Sequence, residues 1–159
     1  MSENTIGRRQ ALRGAGIAAG GVAVAGLATA TPAEAASGNS VLGSWLCVRQ
    51  DNGSKDRIRT ILSFAAGNVL VIHDISPAGP PFTGSWSVKG KSFRATVWSG
   101  FPGEQGPESV GPTVRVQLWG SVSHGKLTAS YRFTVFAPNS TTQVIESGSG
   151  KVSGRRLPA

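Results

Sequence analysis

RIRTILSFA at Arg57–Ala65, AGN at Ala66–Asn68 and VLVIHDI at Val69–Ile75 form the continuous stretch whose pattern decides the fold. In its first run Ile58, Thr60, Leu62 and Phe64 alternate with Arg59, Ile61 and Ser63. That is the period of two with which side chains alternate across a sheet. Ala66-Gly67-Asn68 is a short turn signal, and Val69–Ile75 is a second β-branched run. Two such runs about a tight link predict a β-hairpin.

The same grammar extends in both directions. Upstream, a strand is expected over Gly43–Gln50, ended by the turn cluster Asp51-Asn52-Gly53-Ser54. Downstream, strands are expected over Thr83–Lys89, Ser92–Ser99, Thr113–Ser123, Leu127–Phe136 and Thr141–Gly154, with turns at Gly90-Lys91, His124-Gly125 and Ala137–Ser140. Ser76–Phe82 carries Pro77, Pro80 and Pro81, which lack the donor a ladder needs, so it is expected to be a rim loop. Gly100–Pro112 is expected to be a long irregular loop at a mouth or lid. No window after Ala36 carries a helical stripe.

Eight strands joined by short turns predict an all-β, eight-stranded antiparallel up-and-down barrel, with a β-sandwich as the alternative. Gly148, Gly150 and Gly154 share one face of the last strand and would let it bend to close on the first.

The first 35 residues carry a different signal. Arg8-Arg9 and Arg13 precede an uncharged run from Gly14 to Ala30, and Ala33-Glu34-Ala35 supplies a small-x-small cleavage site. The stretch Ile6–Ala35 resembles a bacterial twin-arginine export signal. Residues 1–35 are therefore expected to be a signal peptide, and 36–159 one secreted or envelope-located barrel domain with no stable membrane span. Setting aside Arg8, Arg9, Arg13, Glu3 and Glu34 reduces 16 basic and 8 acidic residues to 13 and 6, a net charge of +7. The cations are scattered along the chain without a nucleic-acid-binding motif, so no nucleic-acid partner is expected. Cys47 is the single cysteine and excludes an internal disulfide; beside Trp45 it is expected to be a small buried residue.

Gly43-Ser44-Trp45 opening the first strand and Arg155-Arg156 ending the last together resemble the calycin arrangement of lipocalins and their relatives. That resemblance implies that Trp45 closes one end of the barrel and that Arg155 or Arg156 covers its indole. The chain lacks the lipocalin helix and disulfide. A second Gly-x-Trp at Gly84-Ser85-Trp86 and the glycines of 148–154 are similar to small allene-oxide-cyclase-type barrels. Three functions fit such a barrel: one that encloses an apolar small molecule, a cofactor-free cyclase or isomerase that folds a polyene or polyketide-like substrate, as this second resemblance implies, and an envelope interaction protein with a filled barrel.

For a lumen site the expected apolar lining is Phe64, Trp86, Phe93, Leu118, Ala129 and Phe133. His73, Tyr131 and Glu146 share strand faces with apolar residues and are the candidate catalytic groups, with Glu146 alternatively paired to an arginine or facing solvent. Trp98 and Trp119 fall on the opposite faces, as second-layer packing or as an exposed partner patch. Two histidines without acidic or thiol partners at ligand spacing imply no metal site, and no cofactor is expected. Nothing in the pattern fixes an oligomeric state.

Overall fold

The computed structural model describes residues 40–103 and 106–158; the expected signal peptide lies outside the described residues. The chain forms β1 (Gly43–Asp51), β2 (Ile58–Ala65), β3 (Val69–Ser76), β4 (Phe82–Lys89), β5 (Ser92–Gly103), β6 (Gly106–Ser123), β7 (Lys126–Phe136) and β8 (Val144–Arg156). Each strand pairs antiparallel with its neighbour in sequence, and β8 pairs with β1 from Trp45↔Arg156 to Asp51↔Gly150, so the sheet is a closed up-and-down barrel and not a sandwich. Closure leaves no edge along the wall to template aggregation.

The deciding hairpin forms as its alternation requires. Thr60, Leu62 and Phe64 of β2 and Leu70 and Ile72 of β3 are buried. Gly67 (φ 78°) and Asn68 (φ 64°) both take the left-handed conformation. The three-residue loop between Ala65 and Val69 reverses the chain at the two residue types that tolerate this conformation best.

Two segments depart from expectation. The described residues of Gly100–Pro112 are not irregular: β5 and β6 continue pairing beyond the wall, through Gly100↔Thr113 and Pro102↔Val110, with register shifts at Pro102. β4 reaches β5 only as far as Trp98, so residues beyond it occupy an outer edge where a proline leaves no ladder bond unmade. β8 starts three residues late because the Ser140 Oγ accepts from the backbone N–H of Thr142 and Gln143, which holds 140–143 as a turn.

The two ends of the barrel differ. At the end holding the β2–β3 turn, Trp45 is completely buried, donates from Nε1 to the Val41 carbonyl at 2.8 Å, and lies under the Arg156 guanidinium, 4.6 Å from its ring. Arg156 also donates to the Ser40 and Leu42 carbonyls, so the residue that covers the indole ties the incoming chain across this end. Phe64 packs edge-on to Trp86 and Phe93 at 5.6 and 5.1 Å above this plug. The connections after β1, β3, β5 and β7 emerge at the opposite end, which remains open.

Candidate functional site

In the open half, strand alternation carries polar residues onto the inner face. β1 points Trp45 and Cys47 inward, so Arg49 and Asp51 follow them on the same side; Leu70 and Ile72 of β3 bring Asp74 in behind them. Arg49 grips Asp74 with both arms of its fork, Nη2 to Oδ2 at 2.9 Å and Nε to Oδ1 at 3.3 Å. Its Nη1 lies 3.6 Å from Asp51 Oδ1. The Tyr131 hydroxyl donates to the same Asp51 oxygen.

The Tyr131–Asp51 contact crosses β8. Gly150 is the register partner of both residues, and a Cβ there would collide with the Tyr131 hydroxyl. Gly148 makes similar room for the Phe133 ring. Gly148 and Gly150 thus leave room on β8 for the large rings of β7, in space that a side chain would otherwise take.

These groups border a cavity of about 240 Å³, enough for about eight waters. Arg49, Asp51, Asp74 and Tyr131 form one side. Leu62, Ile72, Val116, Leu118 and Phe133 form the apolar wall, while Phe82 and Phe101 stand at its open end. Those two phenylalanines come from the two proline-rich segments, so the opening lies between them.

The electrostatics follow from the pairing. Burial works against the charge on Arg49, yet the hydrogen bond and charge of Asp74 more than offset it and hold the guanidinium above its usual value. Tyr131 is pushed up to about 12, first by burial and then by its bond to Asp51, with Arg49 acting the other way. Its phenol is therefore neutral at physiological pH. Two carboxylates face one guanidinium, so the polar side carries a formal charge of −1 and has more unused acceptors than donors. Cys47 lies deeper, 1% exposed, and burial pushes its thiol up to about 12, which makes it unreactive.

Of the expected lining, Leu118 and Phe133 border this cavity. Phe64 belongs to the aromatic layer of the closed half, and Trp86 and Phe93 border a separate shallow pocket there with Val41 and Lys91. Ala129 is buried on the inner face without reaching the cavity. Of the three candidate catalytic residues only Tyr131 is in the site. His73 is exposed on the outer face of β3, because Ile72 and Asp74 take the inner one, and Glu146 is exposed near the open end of β8. Sequence reasoning passed over Arg49, Asp51 and Asp74, although Asp74 shares its parity with Leu70 and Ile72. Among the described residues no group of three His, Cys, Asp or Glu is placed to hold a metal.

No family model matches the chain, and no curated protein matches it. Among solved structures it is similar to short afifavidin in complex with biotin, at 16% identity over 70% of this chain and 87% of that one, with a TM-score of 0.45. It is also similar to rhizavidin, at 10% identity over 73% of this chain and 84% of that one, with a TM-score of 0.42.

Proposed function

We propose that this protein is an exported barrel that binds one small, largely apolar molecule in its open half, with the polar end of the ligand donating hydrogen bonds to Asp51 and Asp74. The observation that carries this reading is the division of the cavity into an apolar wall and one acceptor-rich, net-negative side. An apolar wall supplies affinity by excluding water, and a few placed polar groups select orientation. A carboxylate-headed ligand would meet surplus negative charge with Arg49 already committed to Asp74. A ligand with an ammonium or N–H head would find open acceptors.

Binding, not turnover, is the activity proposed. Of the three candidate catalytic residues Tyr131 alone lines the cavity; its proton is held by Asp51, and a pKa pushed up to about 12 makes it a weak acid near neutral pH. Calorimetric titration with alkylamines and alkanoates of matched chain length tests the reading. Saturable binding of the amine, at least about tenfold tighter than the carboxylate, is expected. Equal affinity for the two heads, or preference for the carboxylate, would overturn it.

A further inference from the structure

The cations that lie scattered along the sequence are brought together on the outside of the barrel. On the outer face, strand register aligns Arg94 of β5 with Trp119 of β6, Trp119 with Ser130 of β7, Ser130 with Lys151 of β8, and Lys151 with Gln50 of β1. At roughly 4.8 Å between strands this row runs about 19 Å around the wall. Arg57 continues it, sharing a groove with Gln50 and Lys151. The adjoining row adds Thr96, Gln117, Arg132 and Ser149.

Trp119 is the centre of this surface. It is 45% exposed, although its neighbour Leu118 is buried in the lumen. It stands as a ridge between two shallow grooves, one of about 600 Å³ shared with Arg57 and Lys151, the other of about 390 Å³ shared with Arg94 and Arg132. Neither groove is lined by a carboxylate, and Asp51 and Asp74 line the lumen cavity instead.

We infer that this outer wall binds an acidic polysaccharide, independently of the lumen site. An exposed indole offers a negative face to the slightly positive C–H face of a sugar ring. The surrounding Ser, Thr and Gln side chains can both donate to and accept from sugar hydroxyls. Four cations spread around the ring match acidic groups recurring along a chain, through charge-assisted hydrogen bonds. Single-stranded nucleic acid suits the surface less, because its binding sites stack successive bases on several free aromatic faces; of the two exposed tryptophans on this face only Trp119 stands between the grooves, Trp98 being stacked on Phe136 with Arg115 over its ring. A second copy of the chain suits it less still: face-to-face pairing would set Arg94, Arg132 and Lys151 against cations with no carboxylate in the strip to answer them.

The test is fluorescence and affinity-electrophoresis titration of the folded barrel with polygalacturonate, dextran sulfate, neutral dextran and an oligothymidylate, at low and at raised salt. Binding to at least one acidic glycan is expected, weakened by salt, with neutral dextran and oligothymidylate at least about tenfold weaker. Arg94→Ala with Arg132→Ala and Lys151→Ala should lower the affinity about tenfold or more. Trp119→Leu should also lower it, whereas Trp119→Phe, which keeps an aromatic face, should retain most of it. Melting temperatures of these surface variants should stay close to that of the parent. The inference is overturned if Trp119→Leu binds as well as the parent, if oligothymidylate binds as tightly as the glycans, or if sedimentation finds a dimer that Trp119→Leu dissociates.

Discussion

Replacing Arg49 with Met removes the one cation among the described residues of the cavity and leaves Asp51 and Asp74 without a positive partner. Taking one partner from a buried pair costs about 3–5 kcal/mol, mostly because the other charge is left uncompensated. Here the Arg49 side chain is 27% exposed and that of Asp74 is 11% exposed, so solvent screens part of the loss. The expected cost is about 2–3 kcal/mol. For a domain of this size that lowers the melting temperature by about 6–12 °C. Adding Asp74→Leu should recover much of the loss, since it removes the more buried of the two carboxylates left without a cation; Asp51, which remains, is the more exposed and keeps its bond from Tyr131. Thermal denaturation of parent, single and double variants at neutral pH measures both effects. If Arg49→Met melts within a degree or two of the parent at neutral pH, or if the double variant is no better than the single, the pair does not hold the site as described.

Other outcomes follow from the same geometry. Trp45→Ala should cost about 3–5 kcal/mol in chemical denaturation, because it empties the plug beneath Arg156; a cost below about 1 kcal/mol would contradict the closed end. Tyr131 is the only tyrosine, so its ultraviolet titration is unambiguous: the midpoint should lie at about 12 when folded and near 10 in denaturant. Because its folded value is the higher one, the stability it contributes is complete below pH ~10 and is lost as pH rises toward the folded midpoint; a folded midpoint near 10 would refute the Asp51 bond. Replacing Arg8 and Arg9 together by Lys should leave precursor inside the producing cell, and undiminished secretion would argue against the export assignment.

The architecture was legible because each strand buries one face. The period of two in Ile58–Phe64, the left-handed turn at Gly67-Asn68 and the pairing of Gly-x-Trp with terminal arginines are local signals with a unique spatial consequence. The proline-rich hairpin extension was not, since a proline is compatible with an edge strand only where no neighbour needs its donor, and that depends on where β4 begins. The site was harder still. Parity states which residues share a face, but not which face is the lumen, and in β3 His73 was favoured over Asp74 although Leu70 and Ile72 lead to the latter. Nor does sequence give depth along a barrel. Phe64 and Phe93 fill the closed half and Leu118 and Phe133 line the open half, a division set by which end Trp45 plugs. The outer strip around Trp119 is invisible in the chain because its members are neighbours only through register.

The central claim is that the open half of the barrel is a real, single binding cavity. An amine-headed, environment-sensitive apolar dye titrated into the parent and into Val116→Trp, which places a large ring in the cavity wall, addresses it most directly. Saturation at one dye per chain in the parent, and loss of that binding in Val116→Trp with the circular dichroism of the sheet unchanged, is the result predicted. Absence of saturable binding, or equal binding by a folded Val116→Trp, would contradict it.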